Sequence, residues 1–386
     1  MRERGPTGPS SIDRISYWLE EETNELAAGD VRGRVDVAVV GGGVTGCACA
    51  YALASAGVRV RVHEARRIAS GASGRNGGFA LRGGAMPYDV ARSQLGAERA
   101  RALWNLSARS LDLLERLAGD AFARVGSLRV AADPAERREL ESEYEALCAD
   151  GLAAEWREEL AAPLAGRFDG AIFHPPDGSI QPARWVRRLA NLAASAGAVI
   201  CEESRVENLD DLQADRIVVA LDGVTAALVP ELEGVVRPVR GQVLVTEPLP
   251  ERLFGCPHYA RRGYDYWQQT DEGRLVLGGR RDRALDDEFT ALEETSDAVQ
   301  GELESFAREL LGKLPRVTHR WAGIWGLTPD RLPLAGRLPR RAQVWIAGGY
   351  SGHGNVLGLA CGDLVARALL GDSPPELELF DPARFR

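Results

Sequence analysis

The chain has 386 residues, of which 45% are apolar, so it has enough apolar material to build the cores of two globular domains. A net charge of −9 argues against nucleic acid or an anionic membrane as the main partner. The sequence has no signal-peptide core and no apolar run of the ~18 residues that span a bilayer, which predicts a cytoplasmic protein without membrane insertion. The six cysteines show no CxxC spacing and the five histidines are scattered, so we expect no metal site.

The first part of the chain is predicted to be an N-terminal extension over residues 1–30 followed by a β–α–β unit over 31–85. "VDVAVV" is an unbroken apolar run of the kind that forms a strand buried on both faces of a parallel sheet. Three glycines follow it, and then come the small-residue helix "VTGCACAYALASAG" and the alternating strand "VRVRVHEA". Helical periodicity predicts helices over 88–120 and 134–160, with the short strand "GSLRVAA" between them.

The rest of the chain alternates between two kinds of segment. From Asp177 the pattern is turn, helix and strand, and "RIVVALDG" is a second buried strand. Residues 235–281 alternate as β-strands with a hairpin turn at Asp271–Gly273, and a helix follows near 296–312. "QVWIAGGYSGHGNVLGLACG" then indicates a strand, a glycine turn and the start of a last long helix.

These patterns predict the α/β fold class, with a Rossmann-type dinucleotide-binding domain built on a parallel sheet. An α+β insert with an antiparallel sheet is interleaved with it and supplies the substrate-binding domain. The predicted dinucleotide-binding domain is discontinuous and comprises residues 31–85, 170–230 and 336–386. The predicted substrate-binding domain comprises residues 86–169 and 231–335.

The turn after the first strand carries a dinucleotide-binding motif. Gly41, Gly43 and Gly46 form G-x-G-x-x-G, whose glycines permit a tight turn, a close backbone approach to a pyrophosphate and close helix–strand packing. The free N–H groups and the dipole of the following helix attract phosphate charge. Glu64 ends the second strand 18 residues after Gly46, where an acid binds ribose hydroxyls, which favours FAD or NAD over NADP. An incidental glycine turn in an unrelated α/β protein is the alternative. The predicted contacts at this end of the cofactor are Gly41, Gly43, Val44, Thr45, Gly46, Glu64 and Ala65.

Six stretches occur in an order that is typical of a known family. They are "VDVAVVGGGVTGCACA", "GASGRNGG", "DGSIQPARWVRRLANLAASAGAVI", "PVRGQVLVTEPL", "WAGIWGLTPDRLPLAG" and "GGYSGHGNVLGLACG". Over residues 15–370 the chain resembles the D-amino-acid oxidase/glycine oxidase/sarcosine oxidase superfamily of FAD enzymes, the DAO family. The "ASGRNGG" form and the upstream "SYWLEE" are most similar to its gamma-glutamylputrescine oxidoreductase branch. The resemblance implies FAD as the cofactor, and because residues 257–360 contain no cysteine we expect it to be bound noncovalently.

The resemblance also implies that two further glycine-rich segments contact the FAD. The loop 71–78 would run beside the pyrophosphate and the inner face of the flavin ring, through Gly71, Ala72, Ser73, Arg75, Asn76, Gly77 and Gly78. The last glycine turn would direct helix N–H groups at the N1–C2=O edge of the flavin, through Gly352, His353, Gly354, Asn355 and Val356. Val206 matches a backbone clamp on adenine, and Gly223 matches a turn near the pyrophosphate. A solvated turn at 71–78 and a packed histidine at 353 are the alternatives.

By the same resemblance the reaction is the oxidation of a small-molecule primary or secondary amine or an amino acid. A hydride leaves the α-carbon for flavin N5, the imine hydrolyses, and O2 or another acceptor takes the electrons. Tyr264 and Tyr266 would wall the pocket, and His353 would donate near the flavin. Arg280 and Arg281 are the candidate clamps for a carboxylate. Ordinary sheet aromatics and a solvated, charged strand end are the alternative interpretations. The candidate catalytic residues are Tyr264, Tyr266, Arg281 and His353.

Two other functions are compatible with the same fold. One is a flavin-binding, non-catalytic or regulatory subunit of a heteromeric amine oxidoreductase. The other is a different flavoenzyme reaction, such as tRNA modification, which the acidic net charge disfavours. The amine, the electron acceptor and the oligomeric state are left open by the sequence.

Overall fold

A computed structural model describes residues 15–21 and 29–385 of the chain. Within these residues the α-helices are α1 Val44–Ser55, α2 Tyr88–Leu95, α3 Ala97–Ala118, α4 Pro134–Ala149, α5 Pro182–Ser195, α6 Asp297–Leu311, α7 Gly354–Leu369 and α8 Leu377–Phe380. The strands of the first half are β1 Val35–Val40, β2 Val60–His63, β3 Phe79–Ala80, β4 Phe122–Ala123, β5 Ser127–Val130, β6 Glu155–Arg157, β7 Ala171–His174 and β8 Gly178–Ile180. Those of the second half are β9 Val199–Cys201, β10 Ala214–Val219, β11 Arg237–Pro248, β12 His258–Ala260, β13 Asp265–Gln269, β14 Arg274–Gly279, β15 Val317–Leu327, β16 Leu334–Arg337 and β17 Val344–Gly348.

A six-stranded sheet forms one half of the molecule, in the order β16-β17-β10-β1-β2-β9. All neighbours pair in parallel except β16 and β17. The central strand β1 is flanked by β2 and β10, and its valines are buried because both faces of the sheet are covered. Helix α1 packs against α5 and α7 on one of these faces. The sheet therefore has the parallel, doubly covered arrangement that the apolar run "VDVAVV" predicts.

Small residues let α1 and α7 approach each other closely. A Cβ on Gly358 would lie 2.8 Å from Oγ1 of Thr45, and a Cβ on Gly362 would lie 2.5 Å from the Thr45 carbonyl oxygen. The Thr45 hydroxyl also lies 2.8 Å from the hydroxyl of Tyr350, just before α7. This packing holds the beginnings of the two helices next to each other.

An eight-stranded sheet forms the other half, in the order β15-β11-β14-β13-β12-β5-β7-β6. Its strands pair antiparallel except β12 with β5. One face packs on α6 through a core that includes Trp267, Leu303 and Phe306. Because side chains alternate along a strand, Tyr266 and Gln268 project from the opposite face, toward the six-stranded half. The small third sheet, β3-β8-β4, lies beside this contact.

The structure confirms the predicted fold class, including the hairpin between β13 and β14. The helix predicted over 134–160 is wrong from residue 150 onward, because α4 ends at Ala149, Gly151 has a positive φ of 70°, and β6 follows. The helix predicted over 88–120 is divided at Gly96, where φ is +84°. The strand β7 pairs in the eight-stranded sheet although it lies inside the predicted segment 170–230. The division into two domains stays a prediction, and most of the extension 1–30 lies outside the described residues.

Residues 15–21 and 29–385 contain neither a membrane-spanning helix nor a cluster of metal-binding side chains. None of the helices there is long and apolar enough to cross a bilayer. No group of His, Cys, Asp or Glu side chains in the same residues could hold a metal ion. All six cysteines are present as free thiols.

Candidate active site

The turn after β1 has the close contacts that its glycines permit. Gly41 has a φ of +114°, and a Cβ on Gly46 would overlap the carbonyl oxygen of Gly41. Gly43, the N-cap residue of α1, has no side chain that could cap the N–H groups of the first helical turn. The N–H of Val44 donates to Oγ of Ser73 at 3.0 Å, which ties this turn to the loop 71–78.

The carboxylate of Glu64 lies beside the same turn, at the end of β2. Its Oε2 atom accepts a hydrogen bond from the N–H of Gly42, and its Oε1 atom accepts one from the N–H of Arg66, both at 2.8 Å. These two bonds fix the acid and the intervening Ala65 next to the start of α1. The position is the one from which an acid can bind ribose hydroxyls in a Rossmann-type site, and this role stays a prediction.

The loop from Gly71 to Gly78 is folded around the side chain of Asn76. Nδ2 of Asn76 donates to the carbonyl oxygens of Ala72 and Ser73, at 3.0 and 3.2 Å, while Oδ1 accepts from the N–H of Gly78 at 2.8 Å. Nε of Arg75 donates to the Ser70 carbonyl oxygen at 2.8 Å, and the predicted contact of this residue with FAD stays a prediction. Burial lowers the pKa of this guanidinium.

The two glycine-rich segments, far apart in sequence, meet through a pair of asparagines. Nδ2 of Asn76 donates to Oδ1 of Asn355 at 3.1 Å, and Nδ2 of Asn355 donates back to Oδ1 of Asn76 at 3.0 Å. Asn355 also donates to the carbonyl oxygen of Phe79 at 2.7 Å. The start of α7, which carries Asn355 and Val356, is therefore joined to the loop 71–78.

The glycine turn before α7 is held by a buried carboxylate. Oδ1 of Asp222 accepts hydrogen bonds from the N–H groups of Gly349 and Tyr350, at 2.8 and 3.3 Å, and Oδ2 accepts one from Gly326 at 3.0 Å. Burial raises the pKa of Asp222. Gly352, with a φ of +94°, adopts a conformation that favours glycine, and it leads into Gly354, the first residue of α7.

His353 is the N-cap residue of α7, and it carries an unfilled polar atom. Its Nδ1 atom is buried and has no hydrogen-bond partner among the described residues. Burial lowers the pKa of His353 to about 4, so the imidazole is neutral at pH 7. An unfilled nitrogen beside a glycine turn and a helix N-terminus fits a cofactor with hydrogen-bonding ring atoms, as the flavin of FAD has.

Strand β13 packs directly on the loop 71–78. A Cβ on Gly77 would lie 2.9 Å from Cε2 of the Tyr266 ring, and Nε2 of Gln268 donates to the carbonyl oxygens of Gly77 and Gly78. Tyr266 is half-buried, so part of its side chain stays accessible beside this loop. Burial raises the pKa of Tyr266 to about 12, so its hydroxyl is protonated at neutral pH.

Arg281 lies between two aromatic rings near Tyr266. Its Cζ atom is 4.3 Å from the ring centroid of Tyr264 and 5.2 Å from that of Trp325. It has no ion pair with an acidic side chain in the described part of the chain, and burial lowers its pKa. Arg280, the second candidate clamp, is instead buried and paired with Asp265 at 2.9 Å. Arg281 is thus the arginine that is free to bind an anion.

Two predicted cofactor residues have other contacts in the structure. Val206 packs against an apolar cluster that includes Val40 and Leu209. A Cβ on Gly223 would lie 2.7 Å from the backbone carbonyl carbon of Trp325, so this glycine is needed where its chain crosses β15. Their roles toward adenine and pyrophosphate stay predictions.

Sequence reasoning missed several residues that hold the site. Oγ of Ser16 donates to the carbonyl of Gly74 at 2.7 Å, and Nε1 of Trp18 donates to the carbonyl of Asn76 at 2.8 Å. No local periodicity identifies contacts across such a sequence separation, and only the "SYWLEE" stretch drew attention to this segment. The role of Asp222 in holding the glycine turn was not predicted from the sequence either.

Comparisons with known proteins agree with this geometry. The family model described as "DAO: FAD dependent oxidoreductase" matches residues 36–368. The chain is 30% identical over 373 residues to the probable oxidoreductase OrdL of Rhizobium meliloti (strain 1021), covering 90% of this chain and 85% of that protein. It is also 30% identical to the gamma-glutamylputrescine oxidoreductase of Escherichia coli (strain K12), covering 88% of this chain and 84% of that protein.

A solved structure shows the same fold over nearly the whole chain. The crystal structure of glycine oxidase from Geobacillus kaustophilus superimposes with a TM-score of 0.75 at 26% sequence identity, covering 92% of this chain and 98% of that chain. The glycine turns, the Asn76–Asn355 pair and the unfilled His353 nitrogen are compatible with the flavin dinucleotide that the matched family uses. The chain therefore belongs to the DAO family of FAD-dependent oxidoreductases, whose members act on amines and amino acids.

Proposed function

We propose that the protein oxidises a primary or secondary amine, or an amino acid, at the carbon that bears the nitrogen. The observation that carries this proposal is that Tyr266 and the neutral His353 both adjoin the paired loops 71–78 and 349–355, one from β13 and one from the start of α7. FAD bound there would supply the hydride acceptor, flavin N5, and the imine left on the substrate would be hydrolysed by water.

Tyr266 and His353 are suited to binding and orienting an amine rather than to taking its proton. His353 would accept a proton only near pH 4, and Tyr266 would release one only near pH 12. We therefore propose that the substrate loses its ammonium proton to water before it reacts. The rate at low substrate concentration should then rise with pH until the amine's own pKa is passed.

Arg281 is proposed to bind a carboxylate of the substrate. A guanidinium offers a planar fork of donors to a carboxylate, and the rings of Tyr264 and Trp325 hold this one in place. The same rings would exclude water from the bound group, which strengthens the ionic contact.

The proposal is tested by adding amines to the purified holoenzyme without oxygen. The panel comprises polyamines, gamma-glutamyl amines, N-methyl amino acids, and D- and L-amino acids. Loss of the flavin's visible absorbance with at least one of them is the expected result, and repetition in air distinguishes an oxidase from a dehydrogenase. Bound flavin that no amine bleaches would contradict the proposal and favour a non-catalytic subunit.

A further inference from the structure

A row of side chains runs across the eight-stranded sheet from the loop 71–78 to strand β5. Tyr266 on β13 is paired with Tyr259 on β12, and Tyr259 is paired with Arg129 on β5. Directly paired residues project from the same face of a sheet, so all three lie on the face where Tyr266 contacts Gly77. The face that borders the proposed reaction site thus continues to Arg129.

Two further side chains lie at the Arg129 end of this row. Tyr259 and Arg82 are half-buried, and Arg82 is close enough to influence Tyr259 electrostatically. The Cζ atom of Arg129 lies 5.8 Å from the ring centroid of Tyr259. We call the residues Arg82, Arg129, His174 and Tyr259 the arginine cluster.

The arginine cluster contains polar atoms that the protein leaves unfilled. Nε of Arg82, Nε of Arg129 and Nε2 of His174 are each buried without a hydrogen-bond partner in the described residues. Burial together with the two arginines lowers the pKa of His174 to about 3, so the imidazole is neutral. Three unfilled atoms on neighbouring side chains need an explanation, because buried polar groups are almost always bonded.

Of the two arginines in the cluster, only Arg129 has an acidic partner among the described residues. Arg129 forms a buried ion pair with Glu143. Arg82 has no ion pair with any acidic side chain in the described residues, and Nη2 donates only to the carbonyl of Ala153 at 2.7 Å. Asp177, the nearby acid, accepts instead from the backbone N–H of Arg82 and from Oγ of Ser127, both at 2.7 Å. A half-buried guanidinium without a carboxylate partner presents a fork of donors that a ligand carboxylate can occupy.

We infer that the arginine cluster is a second recognition site, which binds a carboxylate at the end of the substrate remote from the reacting C–N bond. This inference rests on the proposed function and narrows its substrate class. Tyr266 and Arg129 are two strands apart, a distance of about 10 Å at ~4.8 Å per strand. The substrate is therefore an amine joined to a carboxylate by a spacer of about that length, and this carboxylate binds at a site distinct from Arg281.

The test measures how the holoenzyme binds unbranched ω-amino carboxylates, from aminobutanoate to aminooctanoate. The n-alkylamines of the same lengths are the matched ligands without a carboxylate. Dissociation constants are measured by equilibrium dialysis under nitrogen, so the readout does not depend on repeated turnover. For the best length, the carboxylate should strengthen binding by about tenfold or more, as expected for a charged hydrogen bond.

Substitutions then test whether the arginine cluster causes the tighter binding of the ω-amino carboxylates. Arg82→Gln should remove the gain from the carboxylate and leave alkylamine binding within about twofold, whereas Arg216→Gln, an exposed arginine on β10, should change neither. Tyr259→Phe removes only a hydroxyl and is the milder variant. It should also reduce the gain in affinity that the carboxylate brings, and it replaces Arg82→Gln as the test if that variant does not fold. Flavin content and thermal unfolding of each variant report whether the fold is intact.

Three results would overturn the inference. These are no carboxylate preference at any length, an equal loss of both ligand series in Arg82→Gln, and loss of the preference in Arg281→Gln alone. Failure of the proposed function is a separate outcome, because it appears as flavin that no amine bleaches. Alkylamines that bleach the flavin while a carboxylate brings no benefit would contradict the second site only.

Discussion

Gly46 is the residue at which the site tolerates least change. A Cβ at this position would overlap the carbonyl oxygen of Gly41, which belongs to the turn after β1, and backbone cannot yield as a flexible side chain can. We expect Gly46→Ala to lower the free energy of unfolding by about 3 kcal/mol and to abolish FAD retention during purification. Urea unfolding and the visible spectrum measure the two effects.

Gly301→Ala is the matched control for this prediction. Gly301 also lies in a helix, α6, but a Cβ there would meet no atom within 4 Å. This variant should gain about 0.5–1 kcal/mol, since alanine is the better helix former. Equal behaviour of the two variants would show that the contact between Gly46 and Gly41 is unimportant.

His258 is expected to make the protein sensitive to mild acid. Burial lowers the pKa of His258 to about 4, and its ring is stacked on Trp267 at 5.3 Å. The unfolded chain takes up this proton near pH 6.5 and the folded chain only near pH 4, so acidification through this window favours unfolding. The full effect is about 3 kcal/mol.

His258→Phe keeps the stacking and removes the titration. Urea unfolding at pH 7 and at pH 4.5 should show a smaller loss of stability for this variant than for the wild type. The same loss in both proteins would show that other groups cause the acid sensitivity.

At the scale of elements, the segment from Ser16 to Glu21 holds the loop 71–78 in place. Ser16 and Trp18 bond to its carbonyl groups, while the carboxylate of Glu21 pairs with Arg184 of α5 at 2.8 Å. Trp18→Phe removes one hydrogen bond, that to Asn76, and keeps the buried ring. We expect FAD to bind about fivefold more weakly, the effect of losing about 1 kcal/mol.

The control for Trp18→Phe is Trp345→Phe. Nε1 of Trp345 is buried without a partner in the described residues, so the same substitution removes no hydrogen bond there. Fluorescence titration of the two apoproteins with FAD should show weaker binding only for Trp18→Phe. Unchanged affinity in Trp18→Phe would mean that the segment packs on the loop without positioning it.

For the molecule as a whole, the sequence predicted what local patterns encode. The apolar run of β1, the glycines after it and Glu64 lie within a single β–α–β unit, so their spacing alone indicated a dinucleotide site. The end of α4 was misplaced because helical periodicity was followed past Gly151, whose positive φ ends the helix. The strand β6 then forms because β7 offers it an edge, which is a tertiary effect.

Contacts between distant segments could not be derived from spacing. The hydrogen bond from Trp18 to Asn76 and the pairing of Asn76 with Asn355 depend on how the whole chain folds. The family resemblance predicted that both glycine-rich segments contact the FAD. It did not predict that Ser16 and Trp18 of the N-terminal segment bond to the loop 71–78. Arg82 lies in the loop after β3 and Arg129 lies on β5, and no sequence motif connects the two residues.

The most direct test of the account is a double-mutant cycle on FAD affinity with Asn76→Ala, Asn355→Ala and the double variant. If the loop 71–78 and the start of α7 form one cofactor site, each single change weakens FAD binding. The double change should then fall short of their sum by about 1 kcal/mol, because the pair is already broken by the first substitution. Additive losses, or FAD affinity that neither substitution alters, would contradict the claim that the two segments bind the flavin together.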